Sequence, residues 1–245
     1  MKAAEIGFLR SRLMYNWKPF NRFRLLNFYR QFVEVDSLCF DIGAHTGNRT
    51  STWLRLGATV VAVEPQPRFH KFLNRRFSTH PDFISLLKGV GSKPGESDLF
   101  ISSRYPTVST FSGDWQHSIR KITPQVNWDQ KIKTEITTLD QLVQEYGIPD
   151  FCKIDVEGFE LEVLKGLSQA LPCLSFEYLP GTEDSTAACL DQLALLGDYE
   201  YNWSQTEELR LRESSWKSKS EISAIIVNGR RQQSGDIYAR LKRKD

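Results

Sequence analysis

The stretch FDIGAHTGN, residues 40–48, ends an apolar run with an acid and continues with two glycines four positions apart. The pattern predicts a strand, a tight turn and a helix N-terminus, where Gly43 and Gly47 let the backbone approach a ligand closely. Glu64 ends the next apolar run, where a carboxylate can accept hydrogen bonds from two ribose hydroxyls. With Asp41, these residues predict a nucleoside-binding site, and an ordinary strand-to-helix turn is the alternative.

The residues of this turn restrict the kind of nucleoside. A dinucleotide favours G-x-G-x-x-G, but the second glycine position is His45, whose side chain would intrude on a pyrophosphate. A P-loop needs a lysine beside the threonine, and GAHTGNRT has none. S-adenosylmethionine fits better, because its ribose suits Glu64, its ammonium and sulfonium suit Asp41, and it carries no phosphate.

A second acidic stretch, FCKIDVEGFELEVLKG, occupies residues 151–166. On an extended backbone Lys153, Asp155 and Glu157 alternate onto one face, with the two carboxylates about 6–7 Å apart at a strand tip. Adjacent carboxylates can accept a hydroxyl proton or hold a cationic group. Asp155 is the predicted base, with Glu157 as its partner or as a substrate clamp. A solvated helix start is one alternative, and a divalent metal is another, although the sequence shows no third ligand.

Four stretches together resemble the FkbM family of S-adenosylmethionine-dependent methyltransferases over about residues 36–180. They are CFDIGAHTGNRT, VVAVEPQP, TTLDQLVQEYGIPDFCKIDVEGFELEVLKGL and LSFEYLP. The resemblance implies an α/β, class I methyltransferase (Rossmann-like) fold with a seven-stranded, mostly parallel sheet of order 3-2-1-4-5-7-6. It places the last two strands in an antiparallel hairpin and helices on both faces. The implied activity is typically O-methylation of a hydroxyl on a sugar, polyketide or other secondary metabolite.

The resemblance also implies roles for individual residues. By position, the acid and the two glycines of the first stretch form the cofactor turn, and Glu64 binds the ribose. Asp155 and Glu157 face the transferred methyl group and the substrate, beside Lys153. Ser92 stands where similar proteins often place an acid or amide near the adenine, so this sequence departs from the family pattern there.

The elements that must position these residues alternate between short β-rich runs and longer helical patterns, as in a parallel sheet covered by helices. The chain of 245 residues suits one such domain. Predicted strands cover 37–42, 59–63, 83–88, 151–155, 173–177, 199–203 and 222–228. Predicted helices lie near 48–56, 66–78, 138–146, 158–170 and 185–196.

Three segments do not follow this alternation. Two of them flank the predicted methyltransferase domain, 34–230, and the third lies inside it. Residues 1–33 form a basic, aromatic arm of one or two amphipathic helices broken near Pro19. The arm could lie on an anionic membrane, but so many aromatics favour packing over the sheet. Residues 231–245 are a predicted basic tail.

Inside the domain, residues 101–135 are polar, aromatic and weakly periodic. A loop of this length is often a lid or binding segment. We expect residues 103–130 to close over the acceptor, with Tyr105, Trp115 and His117 as possible contacts.

Composition excludes some partners and compartments. Thirty-two Lys plus Arg against 30 Asp plus Glu give no overall field for nucleic acid. The four cysteines have no CxxC spacing and read as buried, reduced thiols, and no signal peptide or membrane span is evident. These features predict a cytoplasmic protein with no nucleic-acid partner, and the resemblance implies a small-molecule or glycan acceptor. A nucleotide-binding oxidoreductase and a non-catalytic glycan- or membrane-binding module are the alternatives from other classes.

Overall fold

The computed structural model describes residues 5, 7–8, 19–227 and 233–242, and a seven-stranded sheet forms its centre. The sheet has the spatial order β3-β2-β1-β7-β8-β10-β9. Its strands are β1 (Leu38–Ile42), β2 (Thr59–Val63), β3 (Phe83–Leu86), β7 (Phe151–Ile154), β8 (Cys173–Tyr178), β9 (Tyr199–Gln205) and β10 (Gly235–Leu241). Counted within this sheet alone, the order is 3-2-1-4-5-7-6, which confirms the fold class that the resemblance implies.

A second, smaller sheet and eight helices complete the described part of the chain. The second sheet has the order β4-β6-β5 and was not expected from the sequence. Its strands are β4 (Gly89–Val90), β5 (Gly95–Ile101) and β6 (Gln130–Thr137). The helices are α1 (Pro19–Tyr29), α2 (Asn48–Leu56), α3 (Pro67–Phe77), α4 (Gly113–Ile122), α5 (Leu139–Tyr146), α6 (Glu160–Lys165), α7 (Glu183–Leu196) and α8 (Lys219–Val227).

The end of the chain differs most from the expectation. The seventh strand was predicted at 222–228, but residues 222–227 belong to helix α8, and residue 228 lies outside the described residues. The seventh strand is β10, inside the segment predicted as a basic tail. The run EISAIIV is rich in β-branched residues, which favour strands. However, Ile222 and Ile226 are both buried, and their spacing of four residues is that of a helix face. The last two strands pair antiparallel as expected, but α8 lies between them in the chain, so they do not form a tight hairpin.

The segment 101–135, expected to be a long loop, contains helix α4 and most of strand β6. Strand β6 pairs antiparallel with β5 from Gly95↔Ile136 to Ile101↔Gln130. Its sequence QKIKTEIT alternates polar and apolar residues, which is the period of a half-buried strand. Residues 101–135, called the cover segment below, are therefore structured and lie beside the main sheet.

Alternate residues of the central strands pack into two cores, one on each face of the main sheet. On β1 and β2, Phe40 and Val61 belong to one core, together with helices α5 to α8. Cys39 and Val60 belong to the other, together with α1, α2 and α3. Because successive strand residues point to opposite faces, this division confirms the predicted helices on both sides.

The described part of the N-terminal arm packs against the sheet. Pro19 begins α1, which agrees with the preference of proline for the first helical turn. Leu25, Phe28 and Tyr29 are buried, and the Tyr29 ring meets Trp53 edge-on at 5.4 Å between centroids. This burial favours the cap that we expected. Most of the first 18 residues lie outside the described part, so their membrane contact stays a prediction.

The cysteines agree with the expectation of buried thiols. All four cysteines are free and buried. No helix among the described residues has both the length and the apolar run that a membrane crossing requires.

Candidate active site

The predicted site residues meet at one edge of the main sheet. Strands β1, β2, β7 and β8 run parallel, so their carboxyl ends share this edge, and β10 starts there because it runs antiparallel to β8. A cavity of about 420 Å³ opens at this edge. Its lining includes six of the predicted site residues: Asp41, Gly43, Glu64, Lys153, Asp155 and Glu157. The turn residue His45 also lines it.

Asp41 is the acid at the end of β1, and it caps the following helix. Its Oδ2 accepts hydrogen bonds from the backbone amide of Thr50 at 3.0 Å and from the Thr50 hydroxyl at 2.5 Å. Burial raises the pKa of this carboxyl, while the bonds from Thr50 oppose the rise. One oxygen thus orients the N-terminus of α2, and the carboxylate still lines the cavity.

The two glycines of the turn are required by protein contacts rather than by a ligand. Gly43 has φ +85°, and a Cβ there would lie 1.9 Å from the carbonyl oxygen of Asp155. Gly47 has φ +73°, and a Cβ there would lie 2.6 Å from the side chain of Leu73. The sequence correctly predicted that both glycines lie in the turn. Only the fold shows which neighbouring residues leave no room for a Cβ at these positions. Gly47 itself is not in the cavity lining.

Glu64 directly follows the last residue of β2 and points its carboxylate at the turn. Its Oε2 accepts from the backbone amide of His45, and its Oε1 accepts from that of Gln66, both at 2.8 Å. Burial raises the Glu64 pKa to about 7, against these two hydrogen bonds. Each oxygen keeps acceptor capacity for a ribose hydroxyl.

His45 occupies the left-handed region with φ 47°, as an L residue rarely does. Its ring packs on Phe69 at 4.0 Å between centroids. Burial lowers the His45 pKa to about 4, so the ring is neutral near pH 7. These contacts give it the role of a turn residue, which the sequence favoured over a catalyst or metal ligand.

Lys153 pairs with two carboxylates in the wall of the cavity. Its Nζ lies 3.0 Å from Asp155 Oδ2 and 3.0 Å from Asp236 Oδ1, and the side chain is only 3% exposed. The two negative neighbours outweigh the burial and raise the Lys153 pKa well above its ordinary value. For Asp155, burial favours the neutral acid, but the Lys153 charge and hydrogen bond lower its pKa. Asp155 is therefore ionised at neutral pH.

The second predicted acid, Glu157, reaches the same place by a turn. Strand β7 ends at Ile154, and Glu157 has φ 56°, so the extended geometry expected for the pair is wrong at this point. Carboxylate oxygens of Asp155, Glu157 and Glu177 lie within 4.8 Å of one another, closer than the expected spacing. Burial and the neighbouring acids raise the pKa of Glu157 and of Glu177 well above the ordinary value.

Glu177 is the third carboxylate that the sequence did not reveal, and three such oxygens could hold a divalent cation. It is the last residue but one of β8, so the rule that selected Asp155 at a strand end would also have found it. The same three acids could instead face the cationic groups of S-adenosylmethionine.

The cover segment supplies different residues from those expected. Pro106, Thr107, Ser109 and Phe111 line the cavity, whereas Tyr105, Trp115 and His117 are absent from the lining. The side-chain amide nitrogen of Gln66 donates to the Pro106 carbonyl at 3.3 Å, and the side-chain oxygen of Gln66 accepts from the Ser109 hydroxyl at 3.3 Å. These two bonds hold the cover segment against the chain that follows β2.

Trp115 supports the carboxylate turn from behind. It is buried, and a Cβ on Gly158 would lie 2.7 Å from its indole. The Thr110 hydroxyl donates to the Glu157 carbonyl at 2.7 Å. The cover segment thus holds the turn as well as covering the cavity.

Ser92 does not reach the cavity. Its hydroxyl donates to Glu162 Oε2 at 2.7 Å, and it is not among the lining residues. Lys88, Gly89 and Val90 line that side instead. The resemblance placed Ser92 near the adenine because it follows the third strand of the main sheet. In the structure Ser92 lies beyond the end of β4, and its hydroxyl bonds Glu162 instead.

The chemistry of the lining fits S-adenosylmethionine. Glu64 offers two acceptors for the ribose diol, and the acids at the other end of the cavity complement an ammonium and a sulfonium. Lys88 also lines the cavity, and its ammonium is held by Glu135 at 2.7 Å. The sheet order, the cavity at its carboxyl edge and this set of donors and acceptors define a class I methyltransferase domain.

Comparison with known proteins identifies the family. The model of the methyltransferase FkbM domain matches residues 41–198. The chain therefore belongs to the FkbM methyltransferase family, which confirms both the resemblance and S-adenosylmethionine as the cofactor.

Two curated relatives and one solved structure illustrate the similarity. Hexuronic acid methyltransferase AglP of Haloferax volcanii is 32% identical over 59% of this chain and 55% of its own length. Methyltransferase sdnD of Sordaria araneosa is 29% identical over 46% of this chain and 52% of its own length. The chain thus spans about half the length of the curated relatives it matches. An O-methyltransferase from Bacillus cereus, in complex with SAH, gives a TM-score of 0.47 at 12% identity, covering 99% of this chain and 91% of that chain.

Proposed function

We propose that the chain transfers a methyl group from S-adenosylmethionine to a hydroxyl of a sugar or glycan, with Asp155 accepting the hydroxyl proton. The observation that carries the proposal is the placement of Asp155 in the wall of the cofactor cavity. Its backbone amide donates to the Ile42 carbonyl at 3.0 Å, and its carboxylate accepts from Lys153. The base is therefore fixed to the strand that carries the cofactor turn.

The pKa values of the two acids of the turn are shifted in opposite directions, which supports separate roles. Lys153 lowers the Asp155 pKa and favours the ionised form, which can accept a proton. Burial and Asp155 raise the Glu157 pKa and favour the protonated form, which can donate a hydrogen bond to the acceptor. Divergent pKa values in a pair of carboxyls are a common basis for such an assignment.

Methyl transfer requires little covalent chemistry from the protein. When bound, S-adenosylmethionine supplies an electrophilic methyl group on a sulfonium that leaves as a neutral thioether. The chain orients the acceptor oxygen, and Asp155 takes its proton as the new carbon–oxygen bond forms. Positioning of this kind contributes much of the rate in bimolecular reactions. Phe111 and Pro106 are among the apolar residues that line the cavity.

A saccharide acceptor is supported by the relative from Haloferax volcanii, whose name specifies a hexuronic acid. The cavity wall also carries Thr206 and Ser234, whose hydroxyls are polar groups suited to sugar hydroxyls. The family membership also favours methyl transfer over the oxidoreductase alternative. A polyketide or another secondary metabolite is the alternative acceptor.

The test is transfer of labelled methyl groups to a panel of sugars and uronic-acid glycans. We expect labelled product that resists mild alkali, because a methyl ether survives conditions that cleave a methyl ester. The variant Asp155→Asn keeps the side-chain volume and should lose about 10²–10⁴-fold in rate, with little change in cofactor affinity.

The matched control is Asp150→Asn at the opposite end of β7. Asp150 accepts from the Leu38 amide at 2.8 Å and is not in the cavity lining, so its rate should remain near that of the wild type. Full turnover by Asp155→Asn, or label that mild alkali releases, would contradict the proposed reaction. Activity that EDTA removes and magnesium restores would assign the three carboxylates to a metal instead.

A further inference from the structure

Asp236 is a charged residue of the cavity that sequence reasoning placed in the C-terminal tail. It is the second residue of β10 and pairs with Glu177 on β8 and Ser204 on β9. Because β10 runs antiparallel to β8, the first residues of β10 lie at the edge of the sheet where β7 and β8 end. The residue is 8% exposed and lines the cavity.

The contact of Asp236 with Lys153 connects it to Asp155. The Lys153 ammonium has three N–H donors, and two of them point to Asp155 and Asp236 at the same distance of 3.0 Å. A lysine chain has four flexible bonds, so a single partner would leave its end poorly fixed. With a carboxylate on each side, the ammonium has one preferred position.

Asp236 also places a second negative charge on the far side of Lys153 from Asp155. If Asp236 were neutral, Asp155 would lose this negative neighbour. That loss favours the ionised form of Asp155 and makes it a weaker base. Asp236 thus affects both where the base lies and how readily it accepts a proton.

We propose that Asp236 is a positioning residue for methyl transfer, holding the Asp155 carboxylate in place and basic through the buried Lys153 ammonium. The proposal rests on the proposed role of Asp155 as the base. It assigns a function in the site to β10, which also pairs with β8 and β9 and contributes buried side chains to both cores.

Other charged and titratable groups surround the three residues and belong to the same electrostatic environment. Lys153 is also faced by Arg49 of α2 and Tyr29 of α1. Asp155 is also faced by Arg49, His45, Glu157, Glu160 and Glu177. Because Asp236→Asn leaves all of these in place and keeps an oxygen that can accept from Lys153, it isolates the charge of Asp236.

The first experiment is a kinetic double-mutant cycle in the full chain. Asp236→Asn should lower kcat about tenfold in the wild-type background and less than about twofold in the Asp155→Asn background, since it acts through Asp155. Asp236→Glu should restore part of the rate, and the affinity for S-adenosylhomocysteine should be unchanged. The control is Asp98→Asn, because Asp98 also accepts from two lysines, Lys131 and Lys133, but lies in the second sheet.

The second experiment needs no acceptor. The carboxyl carbon of Asp155, labelled with ¹³C and assigned by its loss in Asp155→Asn, should change its NMR chemical shift in Asp236→Asn and not in Asp98→Asn. An unchanged resonance, or equal rate losses in both backgrounds of the cycle, would overturn the proposal. If the wild type binds S-adenosylhomocysteine but methylates no hydroxyl, the proposed function fails, and the NMR result still decides whether Asp236 positions Asp155.

Discussion

The affinity for S-adenosylhomocysteine should depend on pH because of Glu64. Burial raises the Glu64 pKa to about 7, and only the ionised carboxylate can accept both ribose hydroxyls while it also accepts the His45 and Gln66 amides. Binding is therefore complete above this pKa and is lost as the pH falls through it. Between pH 8 and pH 6 the ionised fraction falls from about nine-tenths to about one-tenth, so Kd should rise about tenfold, or about 1.4 kcal/mol.

The assay is isothermal titration calorimetry at half-unit pH steps across this range. Glu64→Gln removes the titrating group, so its binding should be weaker at pH 8 by about 10–100-fold, as expected for a lost charge-assisted hydrogen bond, and nearly independent of pH. Glu160→Gln is the matched control. The Glu160 pKa is also raised to about 7 by burial, but its carboxylate bonds the Val156 and Gly158 amides and lies outside the cavity lining.

The wild type and the Glu160 variant should therefore share one pH dependence. A wild-type affinity that is constant from pH 6 to pH 8 would refute the ribose role of Glu64. An equal slope in Glu64→Gln would show that another group titrates, and it would refute the same reasoning.

Two further substitutions test the turn and the N-terminal helix by thermal or denaturant unfolding. Gly43→Ala should cost more than about 2 kcal/mol, because its Cβ would meet the Asp155 carbonyl at 1.9 Å and its φ is +85°. Gly113→Ala, with open space around its Cβ, should change stability by less than about 0.5 kcal/mol, and equal effects would contradict the steric argument. Phe28→Ala should cost about 3–5 kcal/mol if α1 is a structural cap. Phe23→Ala, whose side chain is 68% exposed, should cost little, and a neutral Phe28 variant would show that the helix is not part of the core.

The parts of the fold that the sequence predicted are those with local signals. The runs LCFDI and TVVAV are short, apolar and bounded by turn residues, so β1 and β2 were placed to within a residue. Asp41 and Glu64 followed directly, since each stands at the end of its strand. The cavity at this edge is a general property of open parallel sheets.

The parts that were missed depend on contacts distant in the chain. Strand β10 was hidden in a basic segment, and it is a strand because it fills the space between β8 and β9. Asp236 was lost with it. Glu157 was placed on an extended backbone, whereas the turn that carries it is set by Trp115 and Thr110 of the cover segment. Local pattern does not record such neighbours.

The position of β10 has a consequence for biosynthesis. During translation β8 and β9 are made before β10, yet both pair with it and not with each other. Until β10 emerges from the ribosome, the nascent chain carries two exposed strand edges, a known hazard for aggregation. Over the same period Lys153 has only one of its two carboxylate partners. The sheet and the active site are therefore completed in a single late step, and an incomplete chain that ends before β10 gains neither.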